Sequence, residues 1–169
     1  AGETVVVIGT GGIGMNAVQG ARMAGAKHVI AIDPVEMKRE KAMELGAPHI
    51  FSSMAEAMEP LADLTRGRMA EKAVIAVGRI EGQHIQEMLS LVGKGGTGVV
   101  TGMGSMIEND VKLSLFELTL LEKRLQGAIF GSGNPRFDIP NLLRLYQEGE
   151  LRLDELITTT KTHAWWALW

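Results

Sequence analysis

Cysteine is absent from the 169 residues. That absence excludes disulfides, thiolate nucleophiles and cysteine-held zinc within this chain, and it agrees with the reducing cytoplasm expected as its location. No run of about 18 apolar residues occurs, so no membrane-spanning helix is expected. The opening Ala1-Gly2-Glu3-Thr4 leads straight into an apolar strand and has no signal-peptide character. Basic stretches are missing too. With a net charge of −3, neither nucleic acid nor a membrane surface is expected as a partner. What remains is a globular composition, 46% hydrophobic and 22% charged, on a chain long enough for one domain. The first strand starts so near the first residue that the chain reads as a domain excised from a longer protein.

Short apolar runs alternate with amphipathic stretches. Strands are expected at 4–8, 28–32, 49–51, 73–77, 98–101 and 125–130, with a last edge strand at 156–159. Helices are expected at 12–24, 35–45, 55–65, 81–92, 113–122 and 141–148, the last with Pro140 at or near its first turn. A glycine turn is expected around Gly93, Gly95 and Gly96. Strands separated by helices imply parallel pairing with right-handed crossovers. Two sets of three make a doubly wound six-stranded α/β sheet, a Rossmann fold of order 3-2-1-4-5-6.

The main motif is Gly9-Thr10-Gly11-Gly12-Ile13-Gly14. A GxGxxG match alone is weak, but this one follows a strand and opens a helix, as dinucleotide binding requires. Gly9 permits the tight turn, Gly11 lets the backbone approach a pyrophosphate, and Gly14 lets the helix pack on the strand. The exposed amides and positive end of the helix then bind phosphate. A glycine-rich turn without a ligand is the bland alternative.

Asp33 ends the second strand 19 positions after Gly14, close to the roughly 20 expected of a ribose-binding carboxylate. It would accept from the adenosine ribose hydroxyls and repel a 2′-phosphate, which favours NAD over NADP. Pro34, where an arginine would hold that phosphate, points the same way, and Lys38 and Arg39 weaken the point slightly. Asp33 also suits a helix N-cap, and both roles can coexist. Val77-Gly78-Arg79 and Thr101-Gly102-Met103-Gly104-Ser105 follow the fourth and fifth strands, near the ligand crevice of open α/β sheets. Read alone they are as well explained as ordinary turns.

His28 and His49 start strands, on the edge away from a ligand. His84 falls on a polar helix face and His163 near the C-terminus. None has zinc-site spacing, so all four read as structural or surface residues and no metal site is expected. The methionines read as core filler. Lys38 to Lys41 reads first as a solvated helix face. No catalytic residue is expected in this chain.

Gly9 to Gly14, Asp33, Lys38, the run Lys41-Ala42-Met43-Glu44-Leu45-Gly46-Ala47, Val77-Gly78-Arg79 and Gln126-Gly127-Ala128-Ile129-Phe130-Gly131 resemble the coenzyme domain of zinc-dependent medium-chain alcohol dehydrogenases. The resemblance spans about residues 2–163. Gly78-Arg79-Ile80-Glu81-Gly82 and Gly131-Ser132-Gly133-Asn134-Pro135 are similar to the nicotinoprotein, or nitrosodimethylaniline-dependent, subgroup.

The resemblance implies that NAD is the cofactor. Asp33 and Lys38 would hold the adenosine ribose, Gly11, Gly12 and Ile13 would cover the pyrophosphate, and Arg79 would lie toward the nicotinamide ribose. Thr101, Met103, Ala128 and Phe130 would line the nicotinamide, backbone groups of Thr101, Ala128 and Phe130 gripping its carboxamide. It also implies a homo-oligomer built through the edge strand near Leu125 to Phe130. Finally, it implies a catalytic zinc domain that residues 1–163 lack. Without that domain the chain is expected to bind cofactor but not to oxidise alcohol. Residues 164–169, an apolar tail rich in tryptophan, leave the family pattern. Two other readings share the glycine turn and acidic residue: an NAD(H)-sensing regulatory module and an adenosylmethionine-dependent methyltransferase.

Overall fold

The computed structural model describes residues 1–107 and 109–157. The chain divides into two units, Ala1–Asn134 and Pro135–Trp169. The first contains a six-stranded sheet ordered β3-β2-β1-β4-β5-β6. Its strands are β1 (Thr4–Ile8), β2 (His28–Ile32), β3 (His49–Phe51), β4 (Ala70–Ile75), β5 (Val92–Val100) and β6 (Arg124–Gly127). Every pairing is parallel. The expected doubly wound fold is therefore the observed one.

β1 is TVVVI and is buried along its whole length. A β-branched run with no polar alternation is what a strand covered on both faces requires. α1 (Gly12–Met23) follows it and stops where Gly25 takes a φ of 76°. α2 (Glu36–Glu44) and α3 (Met54–Thr65) flank β3 in sequence. Ser53 caps α3 by accepting the Glu56 amide at 3.2 Å, and the Glu56 carboxylate accepts the Ser52 amide and hydroxyl in return. Those bonds, the hydroxyl's first, hold the Glu56 carboxyl below its usual range. α4 (Gly82–Leu91) and α5 (Leu115–Leu120) complete the unit. Val6, Ile8, Ile30, Ile32, Ala57, Leu61, Ile75, Met88 and Leu91 make one continuous core between the sheet and α3 and α4.

Several expectations on element bounds shift, α5 being shorter than the expected 113–122. β4 starts at Ala70 rather than residue 73, because Ala70 pairs with Val92 before the core run begins. The glycines expected as a turn at 93–96 lie inside β5. The β4–β5 register slips between Ala70 and Lys72, and the extra residues form a bulge. At its first position only glycine fits, since a Cβ at Gly93 would stand 2.0 Å from the Arg68 carbonyl oxygen. β6 ends at Gly127, and Phe130–Ser132 forms a 3-10 turn.

In the second unit, α6 (Pro135–Gln147) begins six residues before the expected helix. Pro135, not Pro140, takes the first-turn position, where its fixed φ is pre-set for a helix and no amide is needed. Asp154–Leu156 forms a 3-10 turn where an edge strand is expected from residue 156; residues 158–159 of that expectation lie outside the described residues. So do His163 and the 164–169 tail. Tyr146 donates its hydroxyl to Asp154 at 2.9 Å, which raises the phenol's pKa.

Candidate functional site

The carboxyl ends of β1, β2 and β4 open onto a cavity of about 420 Å³. Its lining includes Gly9, Gly11, Asp33, Lys38, Val77 and Gly78, six of the residues singled out in the sequence. Their convergence follows from topology. β1 is central, with β2 and β4 on either side, so three strand ends and the turns that leave them meet there.

The glycine turn is built as its spacing implies. Gly9 has a φ of 83°, and a Cβ on it would stand 2.8 Å from a Val77 methyl. A Cβ on Gly14 would lie 1.8 Å from the Gly9 carbonyl oxygen, so the first turn of α1 rests on the strand exit with no space between. Gly11 and Gly12 differ. A Cβ on either meets nothing within 4 Å, which leaves their surface open to a ligand. No side chain caps α1, and its first backbone bond runs from the Met15 amide to the Gly11 carbonyl at 2.8 Å. The amides of Gly12, Ile13 and Gly14 precede that bond and have no intrahelical partner, so they and the helix dipole suit an anion.

Asp33 leaves β2 with its carboxylate 5% exposed. One oxygen accepts the Thr10 amide at 2.8 Å and the other the Val35 amide at 2.9 Å. The Lys38 ammonium stands 4.0 Å away. Each oxygen keeps a second acceptor direction for a hydroxyl. The N-cap role that the sequence offered Asp33 falls instead to Val35, which has no side-chain cap; Asp33, two residues earlier, accepts the Val35 amide in an Asx-type turn before α2. Arg39 turns one guanidinium nitrogen onto the carbonyls of Asp33 and Pro34, at 2.8 and 2.9 Å. The Thr10 hydroxyl is buried with no partner among the described residues.

The remaining expected residues stand outside this cavity. Ile13 is exposed on the first turn of α1, and Arg79 is exposed beyond Gly78. Thr101 and Gly102 follow β5 and pack beside Val77: a Cβ on Gly102 would stand 2.5 Å from the Val77 carbonyl oxygen. The Met103 carbonyl accepts the Ile80 amide at 3.4 Å. Thr101 and Ala128 give their amides to the carbonyls of Ile75 and Val100, at 3.1 and 2.9 Å. Phe130 is 91% exposed at a φ of 48°.

Sequence reasoning missed the far wall of the cavity. Ser52, Ser53 and Met54 close it from the β3–α3 turn, and His84 and Glu87 close it from α4. The sequence reads His84 as a structural or surface residue, and it does cap α4 through Nδ1. The 3.6-residue period does place it on the polar side of α4, but the start of that helix looks into the crevice. His28 and His49 stay at the opposite end of the sheet, their rings edge to face at 5.8 Å. Among the described residues no group of three His, Asp or Glu could hold a metal, and no helix is long and apolar enough to cross a membrane.

The sequence pattern of the family described as zinc-binding dehydrogenase matches residues 12–148. The NDMA-dependent alcohol dehydrogenase of Amycolatopsis methanolica is 54% identical over 158 residues, which are 94% of this chain and 43% of that protein. Alcohol dehydrogenase B of Mycobacterium tuberculosis is 46% identical over 158 residues, 94% of this chain and 42% of that one. The chain thus spans well under half the length of these relatives. Among solved structures, benzyl alcohol dehydrogenase from Acinetobacter calcoaceticus superposes with a TM-score of 0.82 at 28% identity, over 90% of this chain and 41% of that one. An alcohol dehydrogenase zinc-binding domain protein from Burkholderia ambifaria gives 0.84 at 28% identity, over 91% and 41%.

Proposed function

Because the chain belongs to the zinc-binding dehydrogenase family, we propose that it is the NAD(H)-binding part of an alcohol dehydrogenase. The observation that carries this reading is the Asp33 carboxylate, fastened by two amides beside the uncapped start of α1. The arrangement suits a sugar diol next to a pyrophosphate. The open faces of Gly11 and Gly12 and the amides through Gly14 receive the phosphates, with Ile13 covering them. Asp33 and Lys38 hold the adenosine ribose, and Val77 and Gly78 wall the base. The Asp33 carboxylate is buried where a 2′-phosphate would come, and the nearby Arg39 spends one guanidinium nitrogen on backbone carbonyls, so the phosphate meets repulsion with only part of a guanidinium to offset it. NAD is favoured for that reason.

Arg79, Thr101, Gly102, Met103, Ala128 and Phe130 form the nicotinamide end of this reading. With their amides given to the sheet, Thr101 and Ala128 offer carbonyl oxygens, which suit the NH₂ of a carboxamide. When bound, the dinucleotide supplies the hydride acceptor or donor. This chain's residues hold and orient it. The zinc of the family name finds no donor set among the described residues, and the reading places it, with substrate binding, in a catalytic domain outside residues 1–163.

The same reading includes a homo-oligomer through β6, and the cytoplasm as location. β6 is an exposed sheet edge, with Leu125 40% exposed and Ile129 and Phe130 more so. The expectation is assembly in light scattering and loss of assembly in Leu125→Asp; a wild-type chain that runs as a monomer counts against it.

The test of the main reading is direct. The purified chain should bind NADH in a fluorescence titration, more tightly than NADPH, and should oxidise no alcohol by itself. A chain blind to NADH sinks the reading.

A further inference from the structure

The wall of the cavity contains more polar groups than phosphates and ribose use. Ile8, Val35, Met54 and Val77 give it the apolar surface a purine needs. Among its polar residues, Lys38 faces Asp33 and the two serines are tied into the α3 cap. His84 enters the cap of α4 through Nδ1 alone, which leaves its other ring nitrogen to the cavity, and Glu87 lies outside both caps. The His84 Nδ1 accepts the Glu81 amide at 3.1 Å, which puts the ring hydrogen on Nε2 and makes that nitrogen a donor. Glu87 follows three residues on, on the same helix face, and its carboxylate only accepts. A fixed donor and a pure acceptor therefore stand side by side on one wall.

Adenine presents the complement, a 6-amino donor next to a ring-nitrogen acceptor. A 6-oxopurine places an oxygen acceptor at that position, where it would oppose the carboxylate. We propose that His84 and Glu87 read position 6 of the purine: His84 donates from Nε2 to a ring nitrogen and Glu87 accepts from the amino group. The site thereby selects adenine over 6-oxopurine dinucleotides. This inference rests on the dinucleotide reading above.

The test titrates the 169-residue chain with NADH and with its hypoxanthine analogue, following nicotinamide fluorescence. The wild type should prefer NADH by about tenfold or more, the discrimination typical of a paired base contact. Glu87→Gln keeps the shape and adds a donor, so the preference should fall toward unity. His84→Ala should narrow it as well. His84→Ala also frays the start of α4, so Glu87→Gln, checked by its melting temperature, decides the matter. Equal binding of both dinucleotides by the wild type overturns the base assignment, and so does a preference that survives Glu87→Gln. Binding of neither overturns the dinucleotide reading itself, and this inference with it.

Discussion

Asp33→Asn tests the site most directly, because two consequences follow from one set of bonds. Asp33 accepts the Thr10 amide on one oxygen and the Val35 amide on the other. Asparagine keeps one oxygen, so its NH₂ must face one of those N–H groups, donor against donor. Leaving a buried amide unpaired costs about 1–2 kcal/mol of folding free energy. In a chain of this size that is roughly 2–8 °C of melting temperature. Binding suffers separately. The charged acceptor for the ribose hydroxyls is lost, which costs about 1–3 kcal/mol, or roughly 5- to 150-fold in affinity for NADH. NADPH should lose less, since its 2′-phosphate no longer meets a carboxylate. Calorimetric titration of both dinucleotides, beside a thermal melt, reads all three effects. A folded Asp33→Asn chain with wild-type affinity for NADH would refute the ribose assignment.

Two neighbouring glycines should behave oppositely. Gly14→Ala drives a methyl against the Gly9 carbonyl and should destabilise the chain by several kcal/mol in urea, whereas Gly11→Ala should melt as wild type yet bind NADH more weakly. Thr10→Val removes a buried, unpartnered hydroxyl but not the amide that Asp33 holds. It should raise the melting temperature without changing NADH affinity, and a lower melting point would show that the hydroxyl is satisfied after all. His28 has its pKa depressed by burial, then by Lys27 and His49, with Glu71 opposing. The unfolded chain therefore takes up this proton at a higher pH than the folded one. Stability should be full above about pH 6.5 and decline as pH falls through the folded value. Melts from pH 7.5 to 5 should show this slope, and His28→Asn should flatten it.

The parts of the fold legible in the sequence were those set by local chemistry. Buried β-branched runs such as Thr4–Ile8 declared the central strands, and Gly9 to Gly14 with Asp33 declared the crevice. The bulge at Gly93–Gly96 was not legible as such. Glycines mark a turn and a bulge alike, and only the approach of the Arg68 carbonyl, 25 residues earlier in sequence, decides between them. The place of His84 on the cavity wall was hidden for a related reason. Helical periodicity says which side of α4 is polar, but not what lies opposite that side. Met54 likewise reached the cavity wall through the position of the β3–α3 turn, which nothing in its own neighbourhood announces.

The bond from the Thr10 amide to Asp33 ties the β1 exit to the β2 exit across the sheet. The two strand ends therefore tolerate change jointly rather than one at a time. Anyone redesigning this chain for a phosphorylated cofactor would have to remove Asp33, and in doing so would slacken the loop meant to grip the diphosphate. A workable redesign would need to supply a neutral acceptor, such as a serine hydroxyl, in the same stroke.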